Sequence, residues 1–495
     1  MVFLLSALVI LNFFSSHGWQ SWDIEHRPLI PEGMPVLVDD DLRFEDGPAA
    51  PRPAAVVNRW LRELPASGAP APSSWENYAR VLKAWTEFLA EHGVGLFDSR
   101  ERLKAGLSRY AEHRAAGPAE ARFAATTWGQ HMSVLALFYR WAMAEDYAPA
   151  EPFTYRSARA LFAGTGREVR VNLAVRRTPK PHVTIKYLEP DFTELFRKGL
   201  RGLAPDGSQD TGFHGRELAR NAAIADLALA TGLRLQEFTH LLPWEIPALP
   251  PEPTAVPIPF PVPAGITKGK KFRTTWISYE ALAAVRDYLE LDRAATAEGS
   301  PWRPPRRWGD PLLVTDPDAR GGRINGVRRS WESLTCAERR RLVAPEGGSC
   351  LLAVKQGGGP FTAWATVFER TSDRIRASFE PRFPHVHPHR LRHSFSMRTL
   401  EYLVSGHYRQ AAKLVRDTDA DAALVFYLSK SDPLLVLRDL LGHSTVLTTE
   451  KYLRRLDTTR IYRHAYEAAG SEAGLVDTAA AEREADAEFD DQDGA

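Results

Sequence analysis

In the stretch SSWENYARVLKAWTEFLAEHG, which begins at Ser73, large side chains recur every three or four residues: Trp75, Tyr78, Leu82, Trp85 and Leu89. That spacing places all five on one side of an α-helix. A stripe this aromatic is costly to leave in water, so other helices have to cover it. Ser73 with Glu76 reads as a capping box at the helix start. A second such helix lies in TTWGQHMSVLALFYRWAMAEDY and ends before Pro149. Residues 73–153 therefore read as a small all-helical domain with an aromatic core, its polar faces left for a partner. The Pro- and Ala-rich stretch over 34–72 reads as an arm with one short helix at 56–64.

The pattern then changes. YLEPDFTELFRKGL opens a second domain near residue 188, and RELARNAAIADLALATG forms a strong helix running into LRLQEFTHLLPWEI. After the proline-rich ALPPEPTAVPIPFPVP, the stretch ITKGKKFRTTWIS alternates around a Lys/Gly turn, the pattern of a β-hairpin. Residues 296–384 are rich in Pro, Gly and Arg with weak periodicity, and no element can be assigned there. Helices resume after Pro388 and continue to about residue 469.

Charge separates along the chain. Residues 471–495 hold nine carboxylates and one arginine, a net of −8, so the rest of a chain whose formal charge is +1 carries +9. Eight Lys/Arg and one Glu fall between residues 156 and 186, which suits a segment near a polyanion or a solvated basic linker. Two cysteines, Cys336 and Cys350, exclude a disulfide framework and fit a reducing cytoplasm. Residues 2–14 (VFLLSALVILNFF) are apolar but shorter than the roughly 20 residues of a membrane-spanning helix, and they lack the basic start of a signal peptide. A start codon assigned too far upstream, with Met34 as the true start, fits the remainder; a targeting or anchoring segment is the other reading.

HVHPHRLRH, residues 385–393, is the densest imidazole cluster in the chain. His389 and His393 have the i, i+4 spacing of a metal pair. Two arginines lie between them and no carboxylate is at hand, so a dication there is disfavoured and no metal is expected. On a helix starting near His389, His389, Arg392 and His393 share a face. Arginine's planar fork matches two phosphate oxygens, and histidine donates and moves protons near neutral pH. Phosphoryl transfer without metal needs a second arginine, a proton donor and a nucleophile. TGLRLQE offers Arg234, TKGKK offers lysines, and LLGHSTVLTTEKY offers Tyr452, nine residues after His443.

With these four boxes in this order, the chain resembles the tyrosine recombinases, or phage-type integrases. HRLRH looks like their His-x-x-Arg-His box, LLGHSTVLTTEKY their Leu-Gly-His signature with its tyrosine, ATGLRLQEFTHL the first-arginine box and TKGKKFRTTWI the lysine hairpin. The resemblance covers about residues 56–469. It implies a mainly α protein with a small antiparallel β-sheet (α+β), in which a helical core-binding domain and a catalytic domain clamp duplex DNA. The expected organisation is an arm over 1–55, the core-binding domain over 56–153 and a basic linker over 154–187. A catalytic domain over 188–469 follows, with insertions near 296–384 and 401–430, and then a disordered acidic tail over 470–495.

By the same resemblance, Arg234, Arg392, His389 and His443 hold the scissile phosphate. Lys268 protonates the leaving 5′ oxygen, with Lys270 or Lys271 as alternatives. Tyr452 forms a 3′-phosphotyrosyl bond; His393, Glu237 and Gly442 support the site. Arg170, Arg176, Arg177, Lys180, Lys270, Lys271 and Arg273 are expected on DNA. A tyrosine hydroxyl of pKa about 10 needs concentrated positive charge to act as a nucleophile, and the same charge stabilises five-coordinate phosphorus. The phosphotyrosine conserves the energy of the broken bond, so no cofactor is expected. The implied partners are double-stranded attachment-site DNA, three further copies in a tetramer, and accessory DNA-bending or directionality proteins, in the cytoplasm. A type IB topoisomerase and a catalytically silent DNA-binding protein are the alternatives. The first is disfavoured by the spacing from Leu-Gly-His to Tyr452, the second by the presence of Arg234, Arg392 and Tyr452 together.

Overall fold

The computed structural model describes residues 9–15, 30–39, 52–69, 71–159, 168–175, 186–254, 256–417, 433–443 and 449. Tyr452, Arg176, Arg177, Lys180, most of the segment before Met34 and the acidic tail lie outside the described residues. The chain divides into two compact units, Met1–Pro181 and His182–Ala495. Both are mainly helical with small, almost entirely antiparallel sheets. Among the described residues no helix is long and apolar enough to cross a membrane.

Unit 1 packs α1 (Pro53–Glu63), α2 (Pro72–Glu91), α3 (Arg100–Ala116) and α4 (Ala125–Ala144) around an aromatic core. The α2 stripe is buried as its spacing requires, with Leu82, Trp85 and Leu89 fully enclosed and Tyr78 stacked on Trp60. Trp85 Nε1 donates to Tyr139 Oη at 3.0 Å, and that hydroxyl donates to the Leu96 carbonyl at 2.9 Å, so the polar atoms of this pair are satisfied. The capping box expected from Ser73 and Glu76 does not form. Proline's fixed φ suits the first helical position; α2 therefore starts at Pro72 with Ala71 as its cap, and Ser73 lies inside the first turn. An antiparallel pair, β1 (Val9–Phe13) and β2 (Pro35–Asp39), is tied to α1 by Asn58, whose amide bonds both the N–H and the carbonyl of Leu37. A second pair, β3 (Tyr155–Arg159) and β4 (Glu168–Asn172), carries Arg170, whose guanidinium lies over the Tyr155 ring.

Unit 2 is centred on α6 (Leu218–Thr231), buried from Arg220 to its end, which explains a helix made of alanine and leucine. Its one buried acid, Asp226, accepts from Arg197 and Arg201 of α5 (Pro190–Leu200) at 2.7 and 2.6 Å. The short α7 (Leu235–Thr239) follows. The hairpin expected around the lysines is present as β5 (Ile258–Val262) and β6 (Arg273–Ile277), but its first strand lies within the proline-rich stretch. Pro259 and Pro261 lack N–H groups, and a two-stranded sheet has an open edge where that loss is tolerated. Phe260 and Val262 alternate with them into the core. Helix α8 (Tyr279–Tyr288) leads through a π turn into the short α9 (Ala294–Ala297).

Residues 296–384, unassigned from sequence, form a folded subdomain. Strands β7 (Leu312–Thr315), β8 (Gly321–Ile324), β9 (Val327–Ser330) and β10 (Leu342–Val343) make one sheet in the order β10-β7-β8-β9, antiparallel except for the two-residue β10–β7 pair. Trp331 leaves β9 to stack on Trp244 at 5.3 Å. The short α10 (Cys336–Arg339) then buries Arg339 completely. Arg339 holds both oxygens of Glu245 at 2.7 Å and donates to the carbonyls of His240, Trp331 and Leu334. Helix α11 (Trp364–Ser378) closes the subdomain onto the α6 core. Helix α12 (Pro388–Asp417) begins at the expected proline, and α13 (Pro433–Leu441) precedes the Leu-Gly-His box.

Candidate active site

The first wall of the site begins where α6 ends. Gly232 has φ +65°, and a Cβ there would lie 2.2 Å from the Phe395 ring, so both backbone and packing demand glycine. The turn frees the Gly232 carbonyl and sets Arg234 as the extended cap of α7. Arg234 is anchored by Glu237: its N–H donates to one carboxylate oxygen at 2.8 Å and its Nη1 to the other at 3.0 Å. Its side chain keeps 28 % of its surface exposed.

Glu237 itself is fully buried and also receives both terminal nitrogens of Arg273, at 2.8 and 2.6 Å. Burial pushes its pKa up. The hydrogen bonds and charge of Arg273, then the N–H and charge of Arg234, outweigh that push and hold the carboxyl below its ordinary 4.5. Arg273 is among the residues expected on DNA. It lies on β6 with 9 % of its side chain exposed, and its guanidinium is engaged by Glu237 and by the Leu440 carbonyl at 3.2 Å.

Three arginines meet one helix end. Arg273 donates to Leu440 O, Arg392 to Leu441 O at 2.6 Å, and Arg234 reaches Gly442 O at 3.5 Å, the limit of a hydrogen bond. The last carbonyls of a helix lack internal partners and carry the negative end of its dipole, so cations are favoured there. Arg392, on α12, also donates to the Gly232 carbonyl and is only 2 % exposed. It joins the ends of α6 and α13 from behind. Gly442 has φ +62°, and a Cβ there would come within 2.8 Å of Arg273. His443 follows, with Nδ1 3.0 Å from the buried Thr449 hydroxyl.

An open cleft is lined by Arg234, Lys268, Lys271, Gly442 and His443, with Arg273 in its floor. The lysines lie on the connection from β5 to β6. Thr267, buried at its base, accepts from the Lys271 N–H at 2.9 Å and closes the turn, with Gly269 and Lys270 at positive φ. Lys268, Lys270 and Lys271 are all exposed, and among the described residues no side-chain bond is made by their ammonium groups. Lys270 does not line the cleft.

His389 is exposed in the first turn of α12, its ring edge-on to His393 at 4.4 Å; neither lines the cleft. His385 and His387, outside the expected set, precede the helix. Burial, then the charges of Arg390, His385 and Lys186, hold His387 below its ordinary value. The structure therefore brings Arg234, Lys268, Lys271, Gly442 and His443 around one space and sets Arg392 and Glu237 behind it. The pairing of Arg273 with Glu237 is the feature that the sequence reading missed, and its signal was Glu237 itself, since a buried carboxylate requires a cationic partner. Chemically, the cleft offers one fixed guanidinium, mobile ammonium groups and an imidazole, a set that suits an anion with a leaving group to protonate.

Residues 57–146 match the family model of the phage integrase N-terminal SAM-like domain. The resemblance to tyrosine recombinases drawn from four boxes in unit 2 thus has an independent counterpart in unit 1. The chain is also similar to a Tn1549 transposon integrase solved with circular-intermediate DNA, at 15% identity and TM-score 0.45, over 80% of this chain and 94% of that one. A XerH site-specific recombinase bound to difH substrate gives 14% identity and TM-score 0.42, over 84% of each chain. A lambda integrase dimer bound to a COC′ core site gives 13% and 0.41, over 80% and 76%. No curated protein matches the chain.

Proposed function

We propose that this chain is a site-specific DNA recombinase of the tyrosine type, which cuts and rejoins duplex DNA through a 3′-phosphotyrosyl intermediate, and that it serves as the integrase of a mobile element. One observation carries the reading: Arg234, Lys268 and His443, from three distant boxes, line one cleft, with Arg392 bonded to the two backbone turns that form its wall. The integrase-type N-terminal unit supports it.

In the proposed reaction the Tyr452 oxygen, as the phenolate after its proton has been lost to solvent, attacks the scissile phosphorus and forms the O–P bond. Arg234 and Arg392 hold the non-bridging oxygens, and His389 and His443 add hydrogen bonds. Preorganised donors of this kind stabilise the charge that develops on five-coordinate phosphorus. The bond to the 5′ oxygen breaks as Lys268 transfers a proton to it. Religation runs the same steps backwards, with the new 5′ hydroxyl displacing the tyrosine. The two units would close on duplex DNA as a clamp, and four copies would pair two sites.

Covalent capture tests this. The protein is mixed, in EDTA, with labelled DNA from around its own gene, and a denaturant-resistant adduct is expected that Tyr452→Phe abolishes. An adduct surviving in Tyr452→Phe would name another nucleophile. Binding to nicked sites with no adduct would favour a silent DNA-binding protein, and relaxation without strand exchange a topoisomerase.

A further inference from the structure

The subdomain over 296–384 carries an arginine hairpin that the catalytic reading leaves unused. Strands β8 and β9 are joined by Asn325 and Gly326, both at positive φ (47° and 85°), the tight turn that matches strand twist. Arg320, Arg323, Arg328 and Arg329 fall within this short stretch, and no acidic residue lies between Asp318 and Glu332. All four residues of β9 are exposed. Arg323 and Arg328 face each other directly across the strands, an arrangement disfavoured within a protein. Each is balanced only by an exposed aspartate, Asp316 or Asp318. Arg320 and Arg329 have no carboxylate partner among the described residues. A local conflict of this kind, kept on a well-formed hairpin, points to an outside anion.

The hairpin is also well placed and firmly held. Phe272, 53% exposed, lines the cleft beside Lys271 and also lines an adjoining groove whose other side is Arg320 and Ser330. The base of the hairpin is therefore continuous with the candidate active site. Arg339, Trp331 and Gly265 fix it there: a Cβ on Gly265 would lie 2.1 Å from the Leu334 carbonyl. A rigid arginine edge beside a phosphodiester cleft suits a run of phosphates on the same molecule.

We propose that the β8–β9 hairpin, with Arg320 at its base, is a second, non-catalytic phosphate-contact surface that grips duplex DNA flanking the cleavage site. The proposal rests on the recombinase reading above. A narrower role is available to the same residues, since arginines on an edge strand block pairing with other sheets. The experiment separates the two.

Duplex affinity of the full chain is measured over a salt series, with Arg320, Arg323, Arg328 and Arg329 all changed to Gln in one variant and all to Lys in another. The Gln variant is expected to bind about 10²-fold more weakly at moderate salt. Its log–log salt slope should fall by about 0.9 for each phosphate that is no longer neutralised, roughly three in all, and the protected footprint should shorten on one flank. The Lys variant should keep the slope, which separates loss of charge from loss of fold. Wild-type affinity and slope in a folded Gln variant would overturn the proposal and leave the recombinase reading intact. Self-association of that variant at wild-type slope would establish edge protection instead, and loss of assembly between copies at unchanged slope a protein contact. Failure of the wild-type chain to bind any duplex would sink both readings together.

Discussion

On one side of the cleft, Arg392 and Glu237 are buried, Arg273 is paired to Glu237 with little of its side chain exposed, and the two guanidinium groups are bonded to carbonyls at helix ends. On the other, Lys268, Lys270 and Lys271 stand exposed on a turn held only by its backbone and Thr267. The difference matches the two tasks that the proposed reaction would set. Charge stabilisation works best with donors that need not reorganise. A proton donor has to approach a leaving oxygen and withdraw, which an anchored side chain does poorly. Substitutions on the buried side should therefore damage stability and chemistry together, and those on the turn chemistry alone.

Arg392→Ala should have the largest effect. It orphans the Gly232 and Leu441 carbonyls and, on the proposed mechanism, removes a phosphate donor, so adduct formation should fall by about 10³-fold or more and unit 2 should lose about 2–3 kcal/mol. Arg392→Lys should not rescue it, because one ammonium cannot reproduce a planar fork; single-turnover adduct yield and thermal melts read both. A variant that melts like wild type would break the comparison. Glu237→Gln comes next. It leaves Arg273 and Arg234 without their shared counter-charge, a loss of about 3–5 kcal/mol for a broken buried pair, measured by urea unfolding.

Lys268→Ala should cost about 10²-fold in cleavage and leave the melting temperature unchanged. A substrate with a bridging 5′ sulfur, whose leaving group needs no proton, should restore the rate. If Lys271→Ala shows this pattern instead, the proton donor is three residues further on, at Lys271. The smallest effect is with acid. Because the folded pKa of Glu237 lies below 4.5, its contribution is complete above that value and is lost as pH falls through the folded pKa. Wild-type stability should thus decline by up to about 1.4 kcal/mol per pH unit from this group in that range, and the Glu237→Gln variant should lack the component. Lysine-turn variants should titrate like wild type.

The legible parts of the chain are those where a local rule and the tertiary structure agree. The α2 stripe is core because helical spacing left no other choice, and α12 starts at Pro388 because proline fits a first turn. Gly232 marked the end of α6 and so located Arg234. The rule failed at Ser73, where Pro72 claimed the first helical position. It failed again at β5, where prolines argued against a strand that an open edge permits. The 296–384 subdomain was opaque because its strands are only two to four residues long. One signal was available there, Asn325-Gly326 between Ile324 and Val327. The role of Arg273 could not be read locally, since its partners lie 36 and 167 positions away.

The Arg339–Glu245 pair bears on the history open to this chain. Glu245 belongs to the stretch that follows α7, while Arg339 belongs to the subdomain over 296–384. A descendant that deleted the subdomain in one step would strand a carboxylate in an apolar setting and uncover Trp244, at a cost of about 3–5 kcal/mol against a total stability of only about 5–15. A relative lacking the subdomain is therefore expected to carry an uncharged residue at the position of Glu245, which comparison of such chains would check.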